Sequence, residues 1–374
     1  MTWLAIVLAA AVGIPITVIA LTAPTWSTVS IEDPNAGVIS SISCAPGGLC
    51  MAYGQDNQVY TNGGTDGPWN VTVPLPGLSN TADEVGGVAC FTGGCVAATN
   101  TALYLTDQSA SQWRLLWSAP SWWHVVSPTC TPSGSLCMAF ANTYRFGRES
   151  PPGGHEAIVS ITNPQVLSGS GPTIAVHEVA PYPVRWIGIL GGSCPTSTVC
   201  EGVSPNGVWR TTDRGATWHL QLSLHSTFSA GGWETLTCPS PSTCLAGAGA
   251  ANFAVTHDGG RTWQLVNTAW SNVSDSSGDD ETGSVAGIFC DTSSHCLAAV
   301  SEGSSAPTGV DFPTGYVLET TDGGVTWSQQ SVSVGASLDS ISCTQSLGCW
   351  SGGWSNSNDP SSNASALLFH ALEK

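Results

Sequence analysis

The sequence predicts an all-β protein: a seven-bladed β-propeller closed by an N-terminal strand and preceded by one hydrophobic helix. Three observations predict it. Fourteen cysteines fall into seven close pairs, Cys44/Cys50, Cys90/Cys95, Cys130/Cys137, Cys194/Cys200, Cys238/Cys244, Cys290/Cys296 and Cys343/Cys349. The first cysteines of successive pairs stand 46, 40, 64, 44, 52 and 53 residues apart, a period that suits one four-stranded blade per pair. The chain holds 43 glycines, 23 prolines and 16 tryptophans with few long apolar periodic stretches, which favours short strands joined by turns.

The first element is hydrophobic. Residues 3–23, WLAIVLAAAVGIPITVIALTA, carry no charged side chain and are long enough to cross a bilayer at about 1.5 Å per residue. A cleaved secretory signal would normally carry a basic leading region, absent here, although Val18 and Ala20 make a tolerable small-residue cleavage site. A retained transmembrane anchor fits the length, and Pro15 in its middle is tolerated in a membrane helix. The organisation is therefore 1–24 as anchor or signal and 25–374 as propeller. No basic residue flanks the segment to orient it, so the cysteines do.

Zinc sites use paired cysteines with two to four residues between them, converging two pairs to a site. Here four to six residues intervene, and seven pairs do not divide into four-cysteine sites. Seven local disulfides are the better reading, and they place the domain outside the cytoplasm. The expectation is no cofactor and no metal. Eight basic residues stand against twenty-six acidic ones, and the first basic side chain is Arg114. That balance argues against a nucleic-acid partner, whose phosphates need neutralising, and against charge-driven adhesion to anionic lipid.

The blades read most clearly from Cys194, as CPTSTVCEGVSPNGVWRTTDRGATWHLQL. The unit recurs from Cys238 and, with a longer insert, from Cys290. In each, strand A ends at the first cysteine, strand B starts at the second, and strands C and D flank a tight turn. Those turns are TTDRGATW (211–218), THDGGRTW (256–263) and TTDGGVTW (320–327). Asp213, Asp258 and Asp322 are suited to accept hydrogen bonds from their own turns. Gly215, Gly260 and Gly324 take positive φ without strain, and Trp218, Trp263 and Trp327 are placed to pack between sheets. Worn versions lie at 61–69 and 106–113, and the third blade has none. A structural turn, not catalysis, is the expected role of these aspartates.

These motifs resemble the Asp-box (BNR) propellers, a superfamily that includes sialidases, sortilin-type receptors, xyloglucanases and the photosystem II stability/assembly factor family. The resemblance spans most of residues 25–374, and the blade pattern is most similar to the assembly-factor type. It implies a propeller; one fold hosts many activities.

Ring closure is legible at the two ends. PTWSTVSIEDPNAGVISSISC (24–44) aligns with VTWSQQSVSVGASLDSISC (325–343), so Trp26 opens a strand D with nothing before it. ALLFHAL (366–372) follows the last pair as a strand C with no D after it. Residues 25–31 are expected to complete the last blade, which removes the open edges of the ring.

In an up-and-down blade the A–B and C–D turns share one face, so the cysteine hairpins and tight turns lie together. Long insertions fall on the other face, where binding on a rigid scaffold usually resides. They carry the candidate binding residues Trp122, Trp123, Tyr144, Arg145, Arg148, Trp233, Trp270, Glu302 and Asp311. An acidic loop with Asp275, Asp279, Asp280 and Glu281 has oxygen ligands for calcium but no EF-hand pattern, and reads better as a solvated loop. Asn70, Asn272 and Asn363 begin glycosylation sequons.

Chemistry on offer is thin. A sialidase needs several arginines converging on a carboxylate and a tyrosine nucleophile. Arg210, Arg214 and Arg261 already sit at or beside the tight turns, leaving no reliable triad. No catalytic residue is assigned. The expectation is a non-catalytic, extracytoplasmic, membrane-anchored propeller that binds another protein as an accessory, assembly or stabilising subunit of a membrane complex. The alternative is a secreted carbohydrate-active enzyme or glycan-binding lectin, with exposed tryptophans stacking on sugar.

Overall fold

The computed structural model describes most of residues 26–371. Residues 1–25, 30, 32–37, 55–57, 64, 66–67, 73–74, 77–85, 121–123, 127, 143–155, 165–170, 180–188, 205–206, 224–232, 269–282, 302–314, 331–336, 345–347, 356–364 and 372–374 lie outside the described residues. The hydrophobic segment of 1–24 falls among these. No helix among the described residues is long and apolar enough to cross a membrane.

Seven antiparallel sheets make the fold. Blade one comprises Ile39–Cys44, Cys50–Gly54, Val59–Thr61 and Asn70–Val71 as strands A to D. Blade two comprises Gly87–Phe91, Gly94–Ala98, Ala102–Asp107 and Arg114–Ser118. Blade three splits its strand A into His124–Val125 and Thr129–Cys130, then adds Leu136–Asn142, Glu156–Thr162 and Thr173–Val179. Blade four comprises Gly191–Ser193, Cys200–Ser204, Gly207–Thr211 and His219–Ser223. Blade five comprises Trp233–Thr237, Cys244–Ala248, Asn252–Thr256 and Gln264–Asn267. Blade six comprises Ser284–Cys290, Cys296–Ser301, Tyr316–Thr320 and Ser328–Gln330.

Blade seven takes its strands from both ends of the chain. Ser337–Thr344, Gly348–Ser355 and Ser365–Ala371 supply A, B and C, and Ser27–Val29 supplies D. Ser27, Thr28 and Val29 pair with His370, Phe369 and Leu368. The register agrees with the alignment of the two SISC stretches, which open the first and last blades.

The core lies between blades rather than within them. Strand B is covered on both faces by neighbouring sheets, so sequences such as CMAYG, GCVAA and CLAGA are buried along their whole length. Small residues there let the next blade close in: a Cβ on Gly247 would lie 2.5 Å from Val285 Cγ1. The seam is packed as firmly as the other interfaces. Trp69 of blade one meets Trp350 of blade seven edge-on at 5.2 Å, and Trp350 stacks on His370 at 4.0 Å. Trp26, just ahead of the closing strand, is buried with Leu297, Ala299 and Val317 of blade six.

Candidate functional site

The blades surround a cavity of about 600 Å³ on the ring axis, lined by strand A of every blade. All seven first cysteines line it, with Pro46, Pro128, Pro132, Pro195 and Pro239 and, among the described residues, one charged side chain, Asp291. Each first cysteine is bonded to the second cysteine of its own pair, with no exchange between blades. The seven bonds are Cys44–Cys50, Cys90–Cys95, Cys130–Cys137, Cys194–Cys200, Cys238–Cys244, Cys290–Cys296 and Cys343–Cys349. In five blades the bonded partners also face each other across the A–B ladder. Cys44 faces Cys50, Cys90 faces Cys95 and Cys130 faces Cys137. Cys290 and Cys343 likewise face Cys296 and Cys349. In blades four and five the pair lies one step past the last ladder partners, Ser193 with Glu201 and Thr237 with Leu245. One end of the channel is thus a collar of seven cross-linked hairpins.

Serine hydroxyls stitch that collar from blade to blade. In blades one, four and seven the residue before the first cysteine turns toward the next blade, where Ser43 accepts from the Cys90 amide at 2.9 Å. Ser193 accepts from Cys238 and Ser342 from Cys44, both at 3.0 Å. The last of these crosses the seam. The serine of the SISC motif therefore has a physical role that the cysteine spacing alone did not reveal.

The C–D turns of blades four, five and six share one hydrogen-bond pattern. Asp213 accepts from the Thr217 amide at 2.9 Å and its hydroxyl at 2.6 Å, and from the Thr211 hydroxyl at 2.8 Å. Thr211 Oγ1 in turn accepts from the Gly215 amide at 2.9 Å. Asp258 and Asp322 repeat the arrangement with Thr262 and Thr326. Hydrogen bonds from Thr262 hold the Asp258 carboxyl down at about 2. For Asp213 and Asp322 a burial cost is outweighed by the bonds from Thr217 and Thr326, and both sit below the usual carboxylate range. Gly215, Gly260 and Gly324 have φ of 89°, 82° and 94°. Trp218 meets Phe140 of blade three edge-on, and Trp327 stacks on Phe253 of blade five at 4.1 Å.

Two polar clusters reinforce the same end. Glu201 is fully buried, and Arg210 donates to its Oε1 at 2.6 Å while also reaching the carbonyls of Gly259 and Pro241 in blade five. Burial pushes the Glu201 carboxyl up to about 7 against the pull of Arg210. In blade six His295 lies between Asp291, at 2.9 Å from Nδ1, and Glu319, at 3.1 Å from Nε2. Burial opposes its charge, but the two carboxylates prevail and raise it above the ordinary imidazole value.

The other end is built differently. Strand A carries a register shift in blades one, five, six and seven. The residues skipped are Ser40, Glu234, Ala286 and Asp339, each four positions before its first cysteine. A bulge of this kind re-aims a side chain. Asp339 accepts from Ser337 at 3.1 Å, and burial raises its carboxyl to about 6. Glu234 is an exposed residue, and the partial desolvation of its carboxyl raises it despite a 3.3 Å bond from Ser284 of blade six. Nothing in the linear sequence marked these two carboxylates, because the shift becomes visible only when the inner strands are aligned on their cysteines.

Of the candidate binding residues, Trp122, Trp123, Tyr144, Arg145, Arg148, Trp270, Glu302 and Asp311 lie outside the described residues. So do Asp275, Asp279, Asp280 and Glu281. Trp233 is described in its backbone, as the first residue of strand A in blade five. The strands flanking all these segments end at the face opposite the disulfide collar. Among the described residues no group of three or more metal-ligating side chains converges.

No protein-family model matches the chain, and no curated protein matches it by sequence. Solved structures match its fold. YCF48 from Cyanidioschyzon merolae aligns at TM-score 0.59 and 13% identity, covering 93% of this chain and 98% of that one. YCF48 bound to D1 peptide aligns at 0.59 and 14%, covering 96% and 100%. The WD40 repeats of RRP9 align at 0.63 and 9%, covering 94% and 99%. The extracellular domain of a putative one-component system from B. thetaiotaomicron aligns at 0.58 and 10%, covering 94% of this chain and 40% of that one. These likenesses define the chain as a β-propeller.

Proposed function

We propose that the protein is a non-catalytic, extracytoplasmic propeller of the Asp-box type, held to a membrane by residues 1–24 and binding another protein as a subunit or assembly factor of a membrane complex. The observation that carries this reading is the division of labour along the propeller axis. One end is fixed by seven disulfides, interblade serine bonds and hydrogen-bonded turns. Most of the long insertions leave from the other end, the arrangement by which a rigid scaffold presents binding loops; the C–D connection of blade three, residues 163–172, is the long one at the disulfide end. The disulfides support an oxidising location. One structure with the same fold, YCF48, is recorded with a D1 peptide bound, which supports a polypeptide as ligand.

Trp26 immediately precedes strand D of blade seven, so a helix at 1–24 enters from the disulfide end. That end then faces the membrane and the insertions project away. The test is mild-detergent extraction of the native membrane, native-gel separation and mass spectrometry of the band that carries the chain. The expected result is a discrete complex in which peptides from residues 1–23 survive. A free monomer beginning near Leu21 or Pro24 contradicts it and redirects attention to glycans.

A further inference from the structure

The outer strands of the seven blades are sheet edges, each with unpaired amides and carbonyls. Among the described residues, six of them are shorter or interrupted. In blades one, six and seven the described outer strand has two or three residues. Blade five has four, Gln264–Asn267. Blades two and four reach five, but their C–D ladders are broken by register shifts at Leu103/Tyr104 and Val208/Trp209. Blade three is the exception. Its outer strand, Thr173–Val179, runs seven residues and pairs without interruption to Glu156–Thr162.

The sequence of that strand is TIAVHEV, with no proline, no lysine and no arginine. Such a segment has high β-propensity and little to repel a pairing chain. Ile174 packs inward on the core between blades two and three. Val176, at mid-strand, is 45% exposed, and Thr173 is exposed too. Isolated exposed aliphatics also occur on other outer strands, at Val71, Leu115, Leu220 and Leu265. Those stand on short or kinked edges, where one apolar side chain needs no explanation.

We infer that Thr173–Val179 is a docking edge at which an extended segment of another protein adds as an antiparallel strand. This rests on the protein-binding reading above and names its surface. Backbone pairing supplies the contact, and alternate side chains give selectivity. Charge decides the occupant. A second copy of a chain with net charge −18 is repelled, so the partner is a different polypeptide. The edge is also polar along its length. Glu178 stands at one end, and the Arg114 guanidinium lies about 4.0 Å from where a Cβ on Gly171 would sit at the other. An antiparallel partner with a basic residue leading and an acidic residue trailing matches both ends.

The probes are two end-blocked heptapeptides of identical composition, Lys-Val-Thr-Val-Thr-Val-Glu and its reversal with glutamate leading, titrated into the full-length protein in detergent by fluorescence anisotropy. The lysine-first peptide is expected to bind at least tenfold more tightly. Val176→Lys should abolish that binding, whereas Leu115→Lys, the same change on the blunted edge of blade two, should leave it unchanged. Both variants must melt within about 2 °C of the parent. Equal loss in both variants, or no preference between the peptides, overturns the docking edge. A dimer that Val176→Lys dissolves overturns it in favour of self-pairing. If Val176→Lys leaves the native complex intact, the edge assignment fails while the protein-binding reading survives.

Discussion

The two ends of the propeller solve opposite problems. At the disulfide end most connections are short and polar groups are tied in repeated patterns: cystine hairpins, Ser43, Ser193 and Ser342 against the next blade, and Thr211–Asp213–Thr217 with its two repeats. At the other end strand A bulges, carboxylates at Glu234 and Asp339 are held with one hydroxyl partner apiece, and the insertions begin. On the proposed function, stability and recognition are separated along the axis. Changes at the collar and between blades should alter melting, and changes at the insertions should alter partners.

The interblade packing offers the largest break. Trp350→Ala empties a fully buried site at the seam and removes its contacts with Trp69 and His370. The expected cost is about 3–5 kcal/mol, read as a fall in the urea midpoint. Next comes the collar itself. Replacing Cys343 and Cys349 by alanine opens a short loop beside the closing strand, with an expected loss of about 2 kcal/mol on the chain-entropy account. The same paired change at Cys194 and Cys200, away from the seam, should cost a similar amount. A much larger loss at Cys343/Cys349 would mark the seam as the weak point of the ring.

Titration sharpens the comparison further. Glu201 near 7, Asp339 near 6 and Glu234 are raised above their unfolded values of about 4. A raised folded value contributes stability that is complete below the unfolded pKa and is lost as pH rises through the folded one. His295 has the same sign. Asp213, Asp258 and Asp322 are lowered, so their contribution is present above about pH 4 and lost below it. The melting temperature should therefore rise from pH 7.5 to about pH 5 and fall again below pH 4. Glu201→Gln and Asp339→Asn should flatten the upper limb, and a melting temperature that rises from pH 5 to 7.5 contradicts the assignment.

The smallest effect is at Arg214. It occupies the position of Gly259 and Gly323 in the neighbouring turns, with φ of 65° where they have 74°. Arg214→Gly should stabilise the protein by about 1 kcal/mol by relieving a left-handed backbone at a side-chain-bearing residue. A loss instead would mean that the arginine makes a contact worth more than that strain.

Blade number and closure were legible because both are written locally. A cysteine pair recurs once per blade, whether five residues apart as in Cys90–Cys95 or seven as in Cys130–Cys137, and Trp26 stands before SISC as Trp327 does. The interblade clamp was not, since Glu201 follows Cys200 like any strand residue, and its partner Arg210 reads as part of a turn. The bulged acids were hidden for a related reason: a register shift is a property of two paired strands. Edge quality in blade three likewise depends on comparing ladders, although the unbroken TIAVHEV and the missing tight turn were the available signals. Tyr144, Arg148 and the other insertion residues entered through topology alone, which assigns them an end of the propeller but no geometry.

The separation of stability from recognition is tested most directly by hydrogen–deuterium exchange on the purified native complex and on the propeller released from it. The account predicts that partner binding protects peptides from 143–155, 224–232, 269–282 and 302–314, together with Thr173–Val179, and leaves the cystine hairpins unchanged. Protection confined to the hairpins and the 211–218, 256–263 and 320–327 turns would place the partner on the disulfide end and contradict it.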